Sequence, residues 1–239
     1  MKQVKEDNFS ISYLSDLNQL KNLSKEEQKE IEDFLLNITK EFAKESFKFY
    51  KEWNEFPFVY REKQVYSALI PAIYKHTQNI FLEQPFKSVN NKQRFLDIVT
   101  SFKENIYFIE LKHSYKSKQN YLRDETIDKW KNAIKQISSI KKDNIGLFYE
   151  ENFKQYKIAL MIMPYFISPY QTINKADNNI KNKTLNLFKD KNIFTKSEYP
   201  NYISNIEFKN YLEFIHYFDK EREEVYPFLF FVARVEKVV

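Results

Sequence analysis

Two neighbouring stretches decide the predicted fold: Arg94-Phe-Leu-Asp97-Ile-Val-Thr100 and Ile106-Tyr-Phe-Ile-Glu110-Leu-Lys112. Both are short runs rich in β-branched and aromatic residues, which is typical of strands. The polar stretch 102–105 between them has the length of a hairpin loop. We therefore expect the two stretches to pair as antiparallel strands.

Three ionisable side chains interrupt these apolar strands. Because side chains alternate along a strand, Glu110 and Lys112 share one face while Leu111 points into the core. Asp97 lies on the neighbouring strand between two apolar residues. A buried carboxylate without a partner costs several kcal/mol or takes up a proton. A divalent metal ion, or the ammonium group of Lys112, would supply the missing partner.

The composition excludes several kinds of active site. The 239 residues include one Gly, no Cys and three His, whereas average usage would give about 17 Gly. The chain therefore cannot form a glycine-rich phosphate loop, a dinucleotide-binding turn or a nucleophile elbow. It has no thiol nucleophile, and its His residues lie too far apart in sequence to suggest zinc. Carboxylate, Lys, hydroxyl and Tyr chemistry remains, with a carboxylate-bound hard metal as the first candidate.

Helical periodicity predicts three helices before the last third of the chain, at 25–53, 61–76 and 124–141. Ser24 and Glu27 have the spacing of a capping box at the start of the first helix. Pro71 is expected to kink or divide the second helix. Asp124 is expected to be the N-cap of the third helix.

Strands are predicted at 80–86, 94–101, 106–112 and 156–163. Pro164 is expected to end the last of them. With the helices at 61–76 and 124–141, the core order becomes helix, strand, strand, strand, helix, strand. We predict an α/β core with a mixed sheet flanked by helices.

We interpret the chain as a single elaborated domain over residues 1–239. Its parts are a helical N-terminal extension (1–56), the core (57–170) and an α+β C-terminal elaboration (171–239). Within the elaboration, an Asn- and Lys-rich solvated connection is expected up to about 196. A helix around 206–218 and an apolar strand around 226–235 follow.

Charge is distributed unevenly around the modest net charge of +5. Residues 112–142 hold nine Lys or Arg against three Asp or Glu, a local +6. Residues 171–196 hold six against two, a local +4, and the first 56 residues hold nine against twelve, a local −3. The basic segments are either solvated surfaces or sites of attraction for a polyanion such as nucleic acid.

Asp97, followed after twelve residues by Glu110-x-Lys112, resembles the PD-(D/E)XK nuclease superfamily, which has the restriction-endonuclease-like fold. The resemblance covers roughly residues 58–166. It implies that Asp97 and Glu110 are metal ligands and that Lys112 orients the attacking water. It also implies an outer catalytic and metal-binding acid at Glu62, and a site-lining residue at Gln136. The implied cofactor is Mg²⁺, with Mn²⁺ able to substitute.

The sequence departs from this family pattern at one position and offers one alternative. Leu96 stands before Asp97 where many members have Pro. Glu83 could replace Glu62 as the outer acid. The Glu-x-Lys sequence also occurs at Glu27 and Glu207, but only Glu110 has both a strand context and an upstream Asp.

Further candidate substrate-binding residues follow the motif: His113, Ser114, Lys116, Lys118 and Lys129. The hydroxyl- and lysine-rich loop after the motif has the side chains needed to bind phosphates, and it is equally well interpreted as a plain solvated loop. His113 is expected to point to the opposite face from Lys112.

The resulting hypothesis is a Mg²⁺-dependent endonuclease of restriction or phage-defence type, acting on double-stranded DNA. A homodimer is expected if both strands are cut. The alternatives are a structure-selective or RNA-directed nuclease, a catalytically silent nucleic-acid-binding or assembly module, and a structural ion pair of Lys112.

The expected location is the cytoplasm, without a membrane partner. Residues 1–10 are charged where a secretory signal needs an apolar run. The longest nearly uncharged run, residues 158–170, is too short to cross a bilayer.

Overall fold

A computed structural model describes residues 2–20, 22–87, 93–141, 153–170, 180–217 and 223–238. These residues form four α-helices: α1 (Lys25–Trp53), α2 (Glu62–Tyr74), α3 (Asp124–Ser138) and α4 (Ile180–Phe188). They also form nine strands: β1 (Lys2–Lys5), β2 (Phe9–Ser15), β3 (Ile80–Lys87), β4 (Gln93–Phe102), β5 (Asn105–His113), β6 (Lys154–Ile167), β7 (Tyr202–Phe208), β8 (His216–Tyr217) and β9 (Glu223–Lys237).

The strands form one open, mixed sheet in the order β1-β2-β7-β9-β6-β5-β4-β3, with the short β8 paired to β9. Within the described residues, β5 and β6 are the one parallel pair, and all other pairs are antiparallel. The parallel pair is joined through α3, because a parallel connection must cross from one end of the sheet to the other. The protein is therefore an α/β protein with a mostly antiparallel sheet.

The predicted core order is present as α2, β3, β4, β5, α3 and β6. The expected hairpin is confirmed: β4 and β5 pair antiparallel, with Ile98 opposite Ile109 and Phe102 opposite Asn105. The pairing of the two strands ends at Ile98 and Ile109, one residue before Asp97 and Glu110. The acidic residues thus lie where the two strands begin to separate.

Helices cover both faces of the sheet. The α1 and α2 helices pack on one face, where Ile38 and Leu69 join Leu111 of β5 in a continuous apolar cluster. The α3 and α4 helices pack on the other face, where Trp130 and Phe188 lie among apolar residues of β5, β6 and β9. Glu110 belongs to the α3 face, because its neighbours Ile109 and Leu111 point to the other one.

Helix α1 begins and ends as its sequence predicts. The hydroxyl of Ser24 accepts a bond from the Glu27 amide at 3.1 Å, and the Glu27 carboxylate accepts one from the Ser24 amide at 2.7 Å. This reciprocal capping satisfies two amides that the first helical turn leaves without partners. At the other end, Asn54 adopts a left-handed conformation with φ of 55° and stops the helix.

Two local predictions were wrong, and a third was wrong in one of its two alternatives. Helix α2 continues through Pro71, so the proline does not divide it. The N-cap of α3 is Arg123, and Asp124 is its first helical residue. Strand β6 continues through Pro164, whose carbonyl accepts a bond from the Lys116 amide at 2.9 Å. The backbone N and O atoms of one residue point to the same side of a strand. The Pro164 nitrogen therefore faces away from β9, and the lack of an N–H group at this proline does not interrupt the hydrogen bonds between β6 and β9.

The predictions for the chain ends need larger corrections. The expected helix around 206–218 is absent from the described residues 206–217, which contain the end of β7, a 3₁₀ turn at Tyr211–Glu213 and β8. The N-terminal extension contains β1 and β2 before α1, so it is not purely helical. Pairing with the sheet overrides local pattern in both places, since β7 lies between β2 and β9.

The expected connection up to about 196 is also partly wrong. Residues 180–188 form α4, whose Ile180 and Phe188 are buried, and residues 171–179 lie outside the described part of the chain. The predicted strand at 226–235 is confirmed as part of β9. No helix of the described residues is long and apolar enough to cross a membrane.

Candidate active site

Asp97 fills the gap that opens where β4 leaves β5. Its Oδ2 atom accepts a hydrogen bond of 2.7 Å from the backbone amide of Leu111. A side chain of β4 therefore takes the place of the backbone acceptor that a continued ladder would supply. This bond fixes the Asp97 carboxylate against β5, beside Glu110 and Lys112.

Lys112 lies between the two strand carboxylates. Its Nζ atom is 2.5 Å from Glu110 Oε1 and 3.8 Å from Asp97 Oδ2, and it also donates to the Leu111 carbonyl at 2.8 Å. The predicted sharing of one face by Glu110 and Lys112 is confirmed by the short ion pair. One cation is thus approached by carboxylates from two adjacent strands.

Gln136 of α3 holds the other oxygen of the buried acid. Its amide nitrogen donates to Glu110 Oε2 at 2.6 Å and to the Phe95 carbonyl at 3.0 Å. Glu110 is only 2% exposed. Both of its oxygens are bound by protein side chains, Oε1 by Lys112 and Oε2 by Gln136. The polar face of α3 therefore contacts the buried acid through Gln136.

Glu62, the first residue of α2, approaches the site from the other side of the β5 end. Its Oε2 atom accepts a bond of 3.1 Å from the His113 amide. Burial raises the pKa of Glu62; the charge of Lys112 opposes this shift and that of Asp97 adds to it. Glu62 thus interacts electrostatically with the cluster through its position on α2.

The charges of the site are unbalanced. Burial raises the pKa of Glu110, and the neighbouring Asp97 carboxylate raises it further against the opposing effect of Lys112. Burial alone would lower the pKa of Lys112, but the carboxylates of Glu110, Asp97 and Glu62 outweigh burial and raise it. One ammonium group cannot neutralise three carboxylates, so the most buried acid retains its proton to a higher pH than an exposed Glu.

Tyr66 is a site residue that the sequence analysis missed. It lies one turn after Glu62 on α2, close enough to Asp97 for the two side chains to interact electrostatically. Burial, followed by the charge of Asp97, raises the Tyr66 pKa, so the phenol stays protonated and can donate. The helical spacing of Glu62 and Tyr66 was the available signal, since residues four apart share one helix face.

The structure places the remaining candidates in different surroundings. The His113 ring is buried on the opposite face, as expected, and bonds to the Phe58 carbonyl at 3.0 Å. Ser114 is buried against Thr126 of α3, with 2.6 Å between the hydroxyls. Lys129 donates to the His113 carbonyl at 2.9 Å and pairs with Glu125 at 2.6 Å.

Lys116, Lys118 and Glu83 are not among the described residues that contact the cluster of Asp97, Glu110 and Lys112 through hydrogen bonds or ion pairs. Lys116 is buried and its ammonium contacts the carbonyls of Ser117 and Gln119, whereas Lys118 is exposed. Glu83 falls opposite Asp97 in the register of β3 and β4, between the pairs Leu82–Ile98 and Gln84–Leu96. It is exposed, with a positive φ of 51° that is unusual for a residue other than Gly.

The donor chemistry of the cluster fits a hard divalent cation at Asp97 and Glu110. Both are carboxylates, the ligands that Mg²⁺ prefers, and the ammonium of Lys112 already stands as a cation between them. No group of three or more Asp, Glu or His side chains within the described residues is arranged to hold a metal. Glu62 therefore does not join Asp97 and Glu110 in such a group, and its Oε2 atom accepts its bond from the His113 amide.

No family model matches the sequence, and a search of curated proteins found no match to it.

Proposed function

We propose that the protein is a metal-dependent nuclease with a restriction-endonuclease-like core, and that it hydrolyses phosphodiester bonds of DNA. The observation that carries this proposal is the convergence of Asp97, Glu110 and Lys112 within ion-pair distance on adjacent strands. Two acids and a lysine gathered at a strand separation are the groups that this type of hydrolysis requires.

The arrangement of elements supports the same proposal. The chain supplies a helix, three antiparallel strands, a crossover helix and a parallel strand in the order implied by the family resemblance. The acid pair lies in the middle of this unit. Strands outside it extend the sheet on the β9 side and do not supply any of the proposed catalytic groups.

Each residue of the cluster has a distinct proposed task. Asp97 and Glu110 would hold Mg²⁺, and Lys112 would orient the attacking water and stabilise negative charge on the phosphate oxygens. The chemistry that Mg²⁺ supplies when bound is polarisation of the phosphate and a lower pKa for a coordinated water. Gln136 and Tyr66 would hold the two carboxylates in position from α3 and α2.

A polyanionic substrate agrees with the charge of the surrounding chain. The net charge is +5, and the segment from Lys112 onward contains the larger local excess of basic residues. A positive segment next to a carboxylate site would attract the phosphate backbone while the metal ligands stay acidic. We therefore propose nucleic acid as substrate, with DNA as the first choice.

The proposal is tested by incubating supercoiled plasmid DNA with the full chain in Mg²⁺, Mn²⁺ or EDTA. We expect metal-dependent nicking that EDTA abolishes, and a loss of about a hundredfold or more in rate for Lys112→Ala and for Asp97→Asn. Single-stranded DNA and RNA substrates run in parallel distinguish the DNA nuclease from the RNA-directed alternative.

Glu207→Gln is the matched control for these variants. Glu207 and Lys209 form another of the three Glu-x-Lys sequences, but Glu207 is exposed on β7 and bonds only weakly to Ser10 at 3.4 Å. This variant should cleave like the wild type. Absence of metal-dependent cleavage on every nucleic acid, or equal activity of Lys112→Ala and wild type, would exclude the catalytic proposal in favour of a silent binding module.

A further inference from the structure

A second polar site lies on the α3 and α4 face of the sheet, beyond the end of β5. The chain continues extended after the strand: the Ser114 amide bonds to the Ile162 carbonyl at 3.2 Å and the Lys116 amide to the Pro164 carbonyl at 2.9 Å. Lys116 is therefore about 13 Å along the chain from Lys112. The loop 116–120 and helix α4 together enclose a pocket of about 300 Å³ that shares no residue with the carboxylate cluster.

The part of the pocket lining that the structure describes is basic and contains no acid. Its charged residues are Lys116, Lys118 and Lys183, and its other polar residues are hydroxyl and amide side chains. A pocket wall with three cations and no carboxylate creates a positive potential that favours an anion.

Lys116 is the strongest indication that an anion belongs there. It is only 6% exposed, and no carboxylate of the described residues lies within ion-pair distance of it. Among the described residues, its ammonium contacts two backbone carbonyls, those of Ser117 and Gln119. A buried cation without a counter-charge is costly, and burial together with Arg123 lowers the Lys116 pKa to about 8. A bound anion would remove this cost.

Thr184 provides an independent observation on the other wall. It lies within α4, is 1% exposed and lines the pocket. Its hydroxyl has no hydrogen-bond partner among the residues that the structure describes. Buried hydroxyls are normally hydrogen-bonded. The Thr184 hydroxyl is therefore available to donate a hydrogen bond to a ligand in the pocket.

The size and apolar part of the pocket point to the kind of anion. One water occupies about 30 Å³ in the liquid, so a lone phosphate would fill only part of the space. Ile180 and Leu187 add apolar surface beside the lysines. Pockets of this volume that combine an apolar wall with a few polar groups are typical of small-molecule sites.

We propose that the pocket between loop 116–120 and α4 binds the phosphate group of a nucleotide, with the sugar or base against Ile180 and Leu187. The phosphate can come from a free nucleotide or from the 5′ end of a nucleic-acid strand. This site is separate from the carboxylate cluster, and binding there does not require hydrolysis.

The test is isothermal titration calorimetry of the full chain in EDTA, which stops metal-dependent cleavage. The probes are thymidine 5′-monophosphate, thymidine and inorganic phosphate. We expect the monophosphate to bind, thymidine not to bind, and inorganic phosphate to bind more weakly than the monophosphate. Lys183→Ala should weaken monophosphate binding about tenfold, the value of one charge-assisted hydrogen bond.

Thr184→Val and Lys191→Ala are the companion variants. Thr184→Val keeps the side-chain shape and removes a hydroxyl without a partner among the described residues, so it should weaken monophosphate binding several-fold without lowering the melting temperature. Lys191 is exposed three residues after α4 and does not line the pocket, so Lys191→Ala should bind like the wild type. Lys116 is left intact, because its ammonium also holds the loop carbonyls.

A pair of oligonucleotides, one with a 5′-phosphate and one with a 5′-hydroxyl, distinguishes the two sources. Tighter binding of the phosphorylated strand that disappears in Lys183→Ala assigns the pocket to strand ends. Binding of the monophosphate alone assigns it to free nucleotides. The proposal is overturned if none of the phosphorylated probes binds the wild type, or if Lys183→Ala and Lys191→Ala lose affinity equally.

Discussion

Gln136 of α3 and Glu110 of β5 are joined by a hydrogen bond of 2.6 Å between Nε2 and Oε2. The same amide nitrogen donates to the Phe95 carbonyl of β4. The crossover helix is therefore bonded to both strands of the acid pair at the point where those strands separate. Since Lys112 binds the other oxygen of Glu110, the buried carboxylate has one fixed orientation.

Replacing Gln136 with Leu removes both hydrogen bonds at similar side-chain volume. We expect the Mn²⁺ concentration for half-maximal cleavage to rise about tenfold, because outer partners of metal ligands typically contribute that much to affinity. The measurement is the cleavage rate as a function of Mn²⁺ concentration. Asn132→Leu is the control, since Asn132 is exposed one turn earlier on α3. Equal metal dependence in both variants would show that Gln136 does not position Glu110.

Tyr66→Phe tests the corresponding contact from α2. The phenol interacts electrostatically with Asp97, and if its hydroxyl orients that carboxylate, its removal should lower the metal-dependent cleavage rate about tenfold while changing the free energy of unfolding by about 1 kcal/mol. Tyr74→Phe is the matched control, because Tyr74 is on the same helix but 55% exposed. If Tyr66→Phe lowers cleavage no more than Tyr74→Phe does, the Asp97 contact has no positioning role.

The local parts of the fold were predictable from the sequence. The capping box of Ser24 and Glu27 and the antiparallel pairing of β4 with β5 depend on residues close together in the chain. The face shared by Glu110 and Lys112 follows from strand alternation alone. These features need only the period of a helix or a strand and the preferences of turn and cap residues.

The long-range parts were not predictable in the same way. Strand β2 pairs with β7 so that Phe9 lies opposite Phe208, and nothing in the residues around either position specifies a partner so distant. The contact between Gln136 and Glu110 likewise depends on how α3 docks on the sheet. A periodic pattern identifies the buried face of an element but not the element that covers it.

The position of Lys112 between two carboxylates predicts competition with a metal ion. In Lys112→Met, the acid pair loses its ammonium, so Mn²⁺ should bind more tightly, by about tenfold, while cleavage is lost. The rise in melting temperature with added Mn²⁺ measures this affinity without any need for activity. Weaker Mn²⁺ binding in Lys112→Met than in the wild type would contradict the competition and indicate that the lysine supports the metal site.

We expect Glu27 to affect the stability of the fold, because this residue connects three distant parts of the chain. Its carboxylate caps α1 and accepts bonds from Tyr156 of β6 at 2.8 Å and Lys237 of β9 at 2.7 Å. Burial opposes ionisation, but the bonds from Lys237, Ser24 and Tyr156 outweigh it and lower the Glu27 pKa from 4.5 to about 2.

A pKa that is lower in the folded state than in the unfolded state stabilises the fold above the unfolded value and loses this effect as the pH falls. Ionised Glu27 should therefore contribute fully above about pH 4.5 and progressively less down to about pH 2. We expect Glu27→Gln to lower the free energy of unfolding by about 2 kcal/mol at pH 7, with a difference that shrinks toward pH 2. Urea unfolding of both proteins at a series of pH values measures this, with exposed Glu26→Gln as control. A difference that stays constant from pH 7 to pH 2 would mean that the effect is packing of the cap and not its charge.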